Sequence, residues 1–428
     1  MLLPIHGEVS GAARRRGWKK PEFRSNPLFF APVITYLRAR RRLWAAAGLL
    51  VGAMLTVWNL IVAAPLFVTE YAVRNDFRLA YAAALVGLRD GYGRLYDLSA
   101  QQTAIRSLGP AFNPQPFISP PPLAWLVTPL TFVPFTAALV IWSALLVAAL
   151  LWTWYLLAPG EGLARAAHLL LWIGVFPVAF GVMVGQPGAL VAAAVATAWW
   201  LLRADRPWLA GLALSLLVLK PQLALLVPLA LLVAGYRKTF ASWLIASVVI
   251  GLIALALLGV DGVARYRDVL AQTQTAAWDI TRRYSISGPL GLGWPLRIAE
   301  VAVLALTIVA AWRQRHSPER VVAVGIAGSL LFTPYLGFQD FLMLLVTGWL
   351  LVRSGATAVQ VAILVVGYAL LELALVVMAV PILVAEAALL LSMLWSRRWD
   401  SNPRPATYEA AALPAELRRP GDPKFTRN

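Results

Sequence analysis

An all-α polytopic integral membrane protein is the fold class that the 428-residue sequence predicts, and three observations predict it. Apolar residues make up 60% of the chain and charged residues only 13%, about half the charged share of a soluble domain. The apolar residues fall in long runs separated by short hydrophilic connections. Positive charge, with a net value of +17, recurs in those connections. About twenty helical residues cover a ~30 Å hydrocarbon core at ~1.5 Å each. About twelve such runs would occupy ~240 residues and leave little for a soluble domain.

The runs lie at 44–68, 136–158, 165–184, 188–203, 207–219, 222–235, 239–260, 297–313, 320–334, 338–352, 357–379 and 381–396. The first follows too extended a basic leader for a cleaved signal peptide and reads as a permanent anchor. With that leader (Arg14 to Arg16, Lys19, Lys20, Arg38, Arg40 to Arg42) in the cytoplasm, alternation puts Arg165, Arg203, Arg206, Arg237, Lys238, the segment Arg313 to Arg320, Arg353, Arg397 and Arg398 inside, as the positive-inside rule requires. The expected organisation is a basic cytoplasmic arm at 1–43, a membrane domain at 44–396 and a disordered cytoplasmic tail at 397–428. Both termini then face the cytoplasm of an inner, plasma-membrane protein. The tail is compositionally unlike the rest, resembles a stretch read into a transfer-RNA gene, and is expected to be dispensable. One apolar piece, Ile118 to Pro134, carries five prolines and is expected to dip into the membrane and return, or to lie along it.

Several function classes are disfavoured. The cations abut hydrophobic segments without the aromatic interleaving of a single-strand platform, so nucleic acid is not an expected partner. There is no cysteine, and the three histidines (His6, His168, His316) are scattered, which leaves no thiolate or clustered-histidine metal site. No metal or cofactor is expected. Chemistry must rest on carboxylates, amides, hydroxyls and cations.

Alternation collects four unusual polar elements on the outer side: the loop from Glu70 to Phe117, Gly185-Gln186-Pro187, Lys220-Pro221-Gln222, and Tyr335 to Asp340. The runs flanking Lys220 are short, so Lys220 should sit below the outer surface, where a cation needs protein or a wet cavity around it. In the first outer loop, Asn75 and Asp76 precede Phe77, Ala80, Tyr81, Ala84, Leu85 and Leu88 at helical spacing, with Arg78 and Arg89 available for a polar face. Such a helix is expected to lie in the membrane interface, ended by Gly91 and Gly93. Asp76 reads either as its N-cap or as a general base facing the outer surface. The two roles are compatible, because a capping carboxylate keeps lone pairs free. Helix-end donors are expected to hold its pKa low.

The order of these pieces carries a resemblance: Asn75-Asp76-Phe77 with Tyr81, Gly93-Arg94-Leu95-Tyr96-Asp97, Pro116-Phe117-Ile118-Ser119-Pro120-Pro121-Pro122-Leu123, Gly185-Gln186, Leu219-Lys220-Pro221-Gln222, Thr333-Pro334-Tyr335 and Gln339-Asp340-Phe341. Over roughly 44–395 the chain resembles family 87 of the GT-C glycosyltransferases (DUF2029), which includes polyprenyl-phosphate-mannose-dependent mannosyltransferases. The resemblance implies a GT-C fold of about twelve transmembrane helices, with interfacial or re-entrant helices in the first outer loop. It also implies a hexose, often mannose, taken from a polyprenyl-phosphate donor on the extracytoplasmic face. The acceptor would be a lipid or cell-envelope glycan, and Asp76 matches the family's presumed base. A histidine that some relatives use near the site has no counterpart, Gln339 and Asp340 standing in that segment.

Such a displacement needs one base and a few cations. A single inverting step at Asp76 avoids the second close carboxylate of a double displacement. Lys220, Arg78 and the Arg282-Arg283 pair are candidate phosphate partners. Lys220 also reads as a snorkelling flank, and the arginine pair as a headgroup contact. Asp340 could hold a sugar hydroxyl or cap a helix, and Gln186 could bind sugar or mark a turn. Asn75, Tyr81, Gln222 and Gln339 complete the expected substrate-binding set. The competing reading is a transporter or flippase of lipid-linked glycans, because broken helices with buried cations also serve transport. It would place polar groups near the midplane within inverted repeats, and no such repeat is evident.

Overall fold

The computed structural model describes residues 40–68, 76–109, 115–275, 284–373 and 379–395. Backbone contacts divide the chain into two units, Met1–Trp44 and Ala45–Asn428, and the first is described only over 40–44. Within the described residues every regular element is helical. In order they are α1 (Arg41–Val68), α2 (Phe77–Asp90), α3 (Leu98–Ser107), α4 (Pro121–Val127), α5 (Phe135–Leu157), α6 (Gly162–Gly174), α7 (Phe176–Met183), α8 (Gly188–Arg203), α9 (Pro207–Leu214), α10 (Val227–Val233), α11 (Arg237–Gln272), α12 (Trp294–Arg313), α13 (Pro318–Phe332), α14 (Leu342–Arg353), α15 (Ala358–Glu372) and α16 (Val380–Trp395). Short 3₁₀ turns and one isolated helical turn lie between them.

All twelve expected runs are helical over most of their length, but their lengths differ from the expectation. Four helices, α1, α5, α11 and α12, are long and apolar enough to cross a membrane, and the bent pair α6 and α7 makes a fifth. The others are shortened by prolines and glycines at their ends. These five mark a membrane protein. Their outward residues, among them Leu50, Trp58, Val140, Ile245, Leu252 and Ile298, are exposed, a continuous apolar surface of the kind that lipid covers.

Breaks inside an apolar bundle are tolerable only where the freed backbone groups find partners. The α6–α7 bend of 55° at Val175 meets that condition. Pro177, in the first turn of α7, has no N–H to lose. The Gly174 carbonyl accepts from Asn59 Nδ2 at 2.5 Å, and the Phe176 N–H donates to Glu372 Oε1 at 3.0 Å. At the centre stands α13, buried on every side from Val321 to Leu331. It packs most closely on α10, α12 and α14, and its own Gly325 and Gly328 leave room for Val227 of α10 and Thr307 of α12.

One expectation about the outer segments is corrected. The amphipathic helix at 77–90 exists, yet it is not a half-solvated interfacial helix. Ala82, Ala83 and Ala84 are fully buried, so α3 and α4 close over the face that was expected to be wet. Arg78, assigned to the polar side, is buried and donates to the carbonyl oxygens of Ile105 and Gly109. The run expected to end near 260 does break there: Gly259, at φ 62° and ψ −177°, is non-helical, and α11 resumes beyond it as a second helical stretch to Gln272. Its second half packs on the Tyr92–Arg94 turn, with Arg265 Nη1 donating to the Gly93 carbonyl at 2.9 Å.

Glu386 on α16 is 1% exposed, and neither carboxyl oxygen has a hydrogen-bond partner among the described residues. Burying a polar group unsatisfied costs about 1–3 kcal/mol. Glu386→Leu, of similar volume, is therefore expected to raise the thermal unfolding midpoint in detergent, and Glu386→Gln to leave it near the wild-type value.

Candidate active site

The connections preceding α2, between α7 and α8, between α9 and α10, and between α13 and α14 meet at one place. The Asp76 backbone N–H donates to the Val184 carbonyl at 2.8 Å, tying the start of α2 to the turn after α7. That turn depends on Gly185, whose φ is +71° and whose Cβ, were there one, would lie 2.7 Å from the Cβ of Phe77. Only glycine satisfies both the left-handed backbone and the close approach. Trp142 Nε1 donates to the Gly185 carbonyl at 2.8 Å, and its ring stacks on Phe77 at 5.2 Å.

From this frame a chain of polar side chains runs inward. Asp76 Oδ2 accepts from Gln186 Nε2 at 2.5 Å, and Gln186 Oε1 accepts from Lys220 Nζ at 2.9 Å. Lys220 also donates to Asp340 Oδ1, while Asp340 Oδ2 accepts the Gly337 N–H at 3.0 Å. The amide orientation follows from chemistry. An ammonium can only donate, so the amide oxygen faces Lys220 and the NH₂ is left for the carboxylate of Asp76. Lys220 is 8% and Asp340 1% exposed, which makes this a buried ion pair. It ties the break between α9 and α10 to the 3₁₀ turn Phe338–Phe341. Beside it, Gln222 Nε2 lies 3.4 Å from the Tyr335 hydroxyl. Burial, with a smaller effect of the Asp340 carboxylate, pushes that hydroxyl up to about 12.

Asp76 and Gln186 line a cavity of about 90 Å³, walled by Phe117, Ile118, Leu123 and Trp142. The expectation that helix-end donors would lower the Asp76 pKa is overturned. Its side chain makes no capping bond, and burial raises the pKa above the ordinary carboxylate range. The Gln186 hydrogen bond and the Lys220 charge oppose that rise, while the Asp340 charge adds to it. Asp97 shows the contrast within the same outer segment. It caps α3, accepting from Ser99 and Ala100, and those bonds hold its carboxyl well below the usual range.

The sequence-predicted residues therefore separate. Asp76, Gln186, Lys220 and Asp340 come together in one hydrogen-bonded chain, with Gln222 nearby and Gln339 on the same turn as Asp340, its amide packed over Gly337. Arg78 and Tyr81 do not join it. Besides the Arg78 contacts given above, the Tyr81 hydroxyl donates to the Val133 carbonyl at 2.8 Å from a buried ring. Asn75, Arg282 and Arg283 lie outside the described residues. Trp142 and Gly337 were missed, because a tryptophan in an apolar run and a backbone N–H leave no separate mark in a sequence. Among the described residues no group of three or more His, Asp or Glu could hold a metal ion.

A helical membrane protein whose helix breaks gather two carboxylates, an amide and a lysine beside a cavity has the parts for group transfer at the membrane. Residues 117–334, just over half of the chain, match glycosyltransferase family 87. The chain belongs to that family and is a membrane glycosyltransferase, which decides against the transporter reading. The match covers Gln186, Lys220 and Gln222, whereas Asp76 and Asp340 are added to them by the fold. No curated protein and no solved structure matches the chain.

Removing one partner of a buried ion pair strands the other charge, at roughly 3–5 kcal/mol. Lys220→Met is expected to lower stability by that order, and Lys220→Met combined with Asp340→Leu to lower it less. Thermal unfolding of the purified variants in detergent measures both.

Proposed function

We propose that this enzyme transfers a hexose, mannose being the first candidate, from a polyprenyl-phosphate donor to a lipid or cell-envelope glycan acceptor. The reaction is inverting, with Asp76 as general base. The site faces the extracytoplasmic side of a plasma-membrane protein with a GT-C fold and about twelve crossing segments, both termini being cytoplasmic. The basic connections at 165, 203–206, 237–238 and 353, all on the side opposite the site by alternation, support that topology.

One observation carries the reading: a cavity-lining carboxylate has one oxygen held by an amide and its Oδ1 without a partner among the described residues. Asp76 Oδ1 takes the proton of the acceptor hydroxyl. The acceptor oxygen forms its bond to the anomeric carbon as the bond from that carbon to the phosphate oxygen breaks. The electron pair leaves with the polyprenyl phosphate. Asp340 is unsuited to act as a second carboxylate, because both of its oxygens are already engaged. Lys220 supports the ionised form of Asp76 through Gln186. Two of its three N–H donors are used within the cluster, which leaves one for a donor phosphate.

Burial makes Asp76 a stronger base than an ordinary aspartate, which suits proton abstraction near neutral pH. Because the folded pKa is raised, the active ionised form appears only above that raised value. The acid limb of kcat/KM is therefore expected at a higher pH than the ~4 of a free aspartate. Asp76→Asn is expected to abolish the limb and to slow transfer by about 10²–10⁴-fold. The assay uses purified full-length protein, a radiolabelled polyprenyl-phosphate mannose and an octyl mannoside acceptor. Undiminished transfer by Asp76→Asn removes Asp76 as the base.

A further inference from the structure

The wall of the cavity opposite Asp76 is a strap, Gln115 to Ser119, and its backbone is held in an unusual way. Pro116 and the three prolines after Ser119 have no N–H, and within 115–119 no backbone group pairs with the backbone of another described residue. Side chains hold it instead. Gln101 on α3, 1% exposed, accepts the Phe117 N–H on Oε1 at 2.8 Å and donates from Nε2 to the Leu95 carbonyl at 2.7 Å. The Tyr96 hydroxyl donates to the Ser119 carbonyl at 2.7 Å, and the Tyr96 ring lies between Tyr266, stacked at 4.2 Å, and Phe117 at 6.0 Å. The Tyr266 hydroxyl reaches the Ile118 carbonyl at 3.5 Å. Tyr266 arrives there because α11 continues past Gly259.

We propose that Gln101 is a positioning residue for transfer. It fixes the strap as the wall facing Asp76, and so sets how an acceptor hydroxyl meets that carboxylate without touching either. Three features single it out. Its amide uses one donor and its acceptor on two backbone groups, one of them in the strap. It is buried beyond the reach of substrate. The strap residues it holds, Phe117 and its neighbours, line the same cavity as Asp76 and Gln186. Without this bond the Phe117 N–H is left unsatisfied beside an apolar wall, and the strap is free to shift. A misplacement of about 1 Å at a reacting site can cost ~100-fold in rate.

The inference rests on the transferase reading for its activity arm only. Because the chain has no cysteine, a single cysteine reports on the cavity. Leu79→Cys on α2 lines it, and Leu88→Cys on the same helix is an exposed control. In full-length protein in nanodiscs, Gln101→Leu is expected to speed modification of Leu79→Cys by ethylammonium methanethiosulfonate about tenfold, leaving Leu88→Cys unchanged. Equal rates at Leu79→Cys, or an equal rise at both positions, overturn the strap's dependence on Gln101. With polyprenyl-phosphate mannose and octyl mannoside, Gln101→Leu is expected to raise the acceptor KM by about tenfold or more, and kcat to fall less. Gln101→Glu, which keeps an oxygen for the Phe117 N–H, should recover most of the loss. An unchanged KM in an active enzyme overturns the positioning role. A wild type that transfers no sugar defeats the assigned donor and acceptor, while the labelling result still decides the strap.

Discussion

A lysine ammonium withdrawn from water between a glutamine and an aspartate is the constraint around which the rest is arranged. Desolvating Lys220 is costly unless its donors are satisfied at close range, and its partners come from connections 34 and 120 residues away in the chain. Meeting that demand requires three helix pairs to break at one level. Breaks in an apolar bundle in turn require glycine or proline at the turn and side chains to receive the freed backbone groups. Gly185 and the Lys220-Pro221 junction are such points, and the Trp142 and Asp340 side chains engage the Gly185 carbonyl and the Gly337 N–H respectively. Pairing thus comes first and the geometry around Asp76 follows from it.

The opposite ends of the helices handle cations differently. Arg353 donates to the carbonyl oxygens of Leu156, Leu157 and Ala158 at the end of α5, and Arg165 reaches the Tyr155 carbonyl. A planar guanidinium with several donors suits a fan of unpaired carbonyls at a helix C-terminus. There the charge completes a helix. A compact ammonium such as Lys220 polarises an amide and balances a carboxylate instead. Cations face acids at both ends of the bundle, Arg203 pairing with Glu319 at 3.6 Å as Lys220 pairs with Asp340, and what sets the Lys220 end apart is the Gln186 amide that links it to a second carboxylate, Asp76.

Asp76 and Asp97 make a similar point for carboxylates. Both stand immediately before a helix in the same outer segment. Asp97 turns back onto the backbone N–H groups of its own helix and becomes a weaker base. Asp76 turns away from its helix to Gln186, lies half-buried, and becomes a stronger one. The difference is environment: the turn at Gly185 brings Gln186 to Asp76, whose desolvation outweighs that hydrogen bond, whereas Asp97 keeps its cap through Oδ1 while Arg94 holds Oδ2 at 3.1 Å.

The sequence by itself determined the helical membrane class, the order of the apolar runs and four polar residues of the site. Hydropathy and charge act locally and are written residue by residue, so they can be read without a fold. Asp76, Gln186, Lys220 and Asp340 were visible because a polar group in an apolar chain is conspicuous. Only the tertiary structure decided which neighbours those groups would have. It sent Arg78 and Tyr81 to backbone carbonyls, carried α11 past its glycine to bring Tyr266 to the strap, and gave Asp76 a glutamine in place of a cap. Hydrogen bonds and burial depend on which distant segments meet, and with most connections polar and most helices apolar the pattern along the chain was compatible with more than one such meeting.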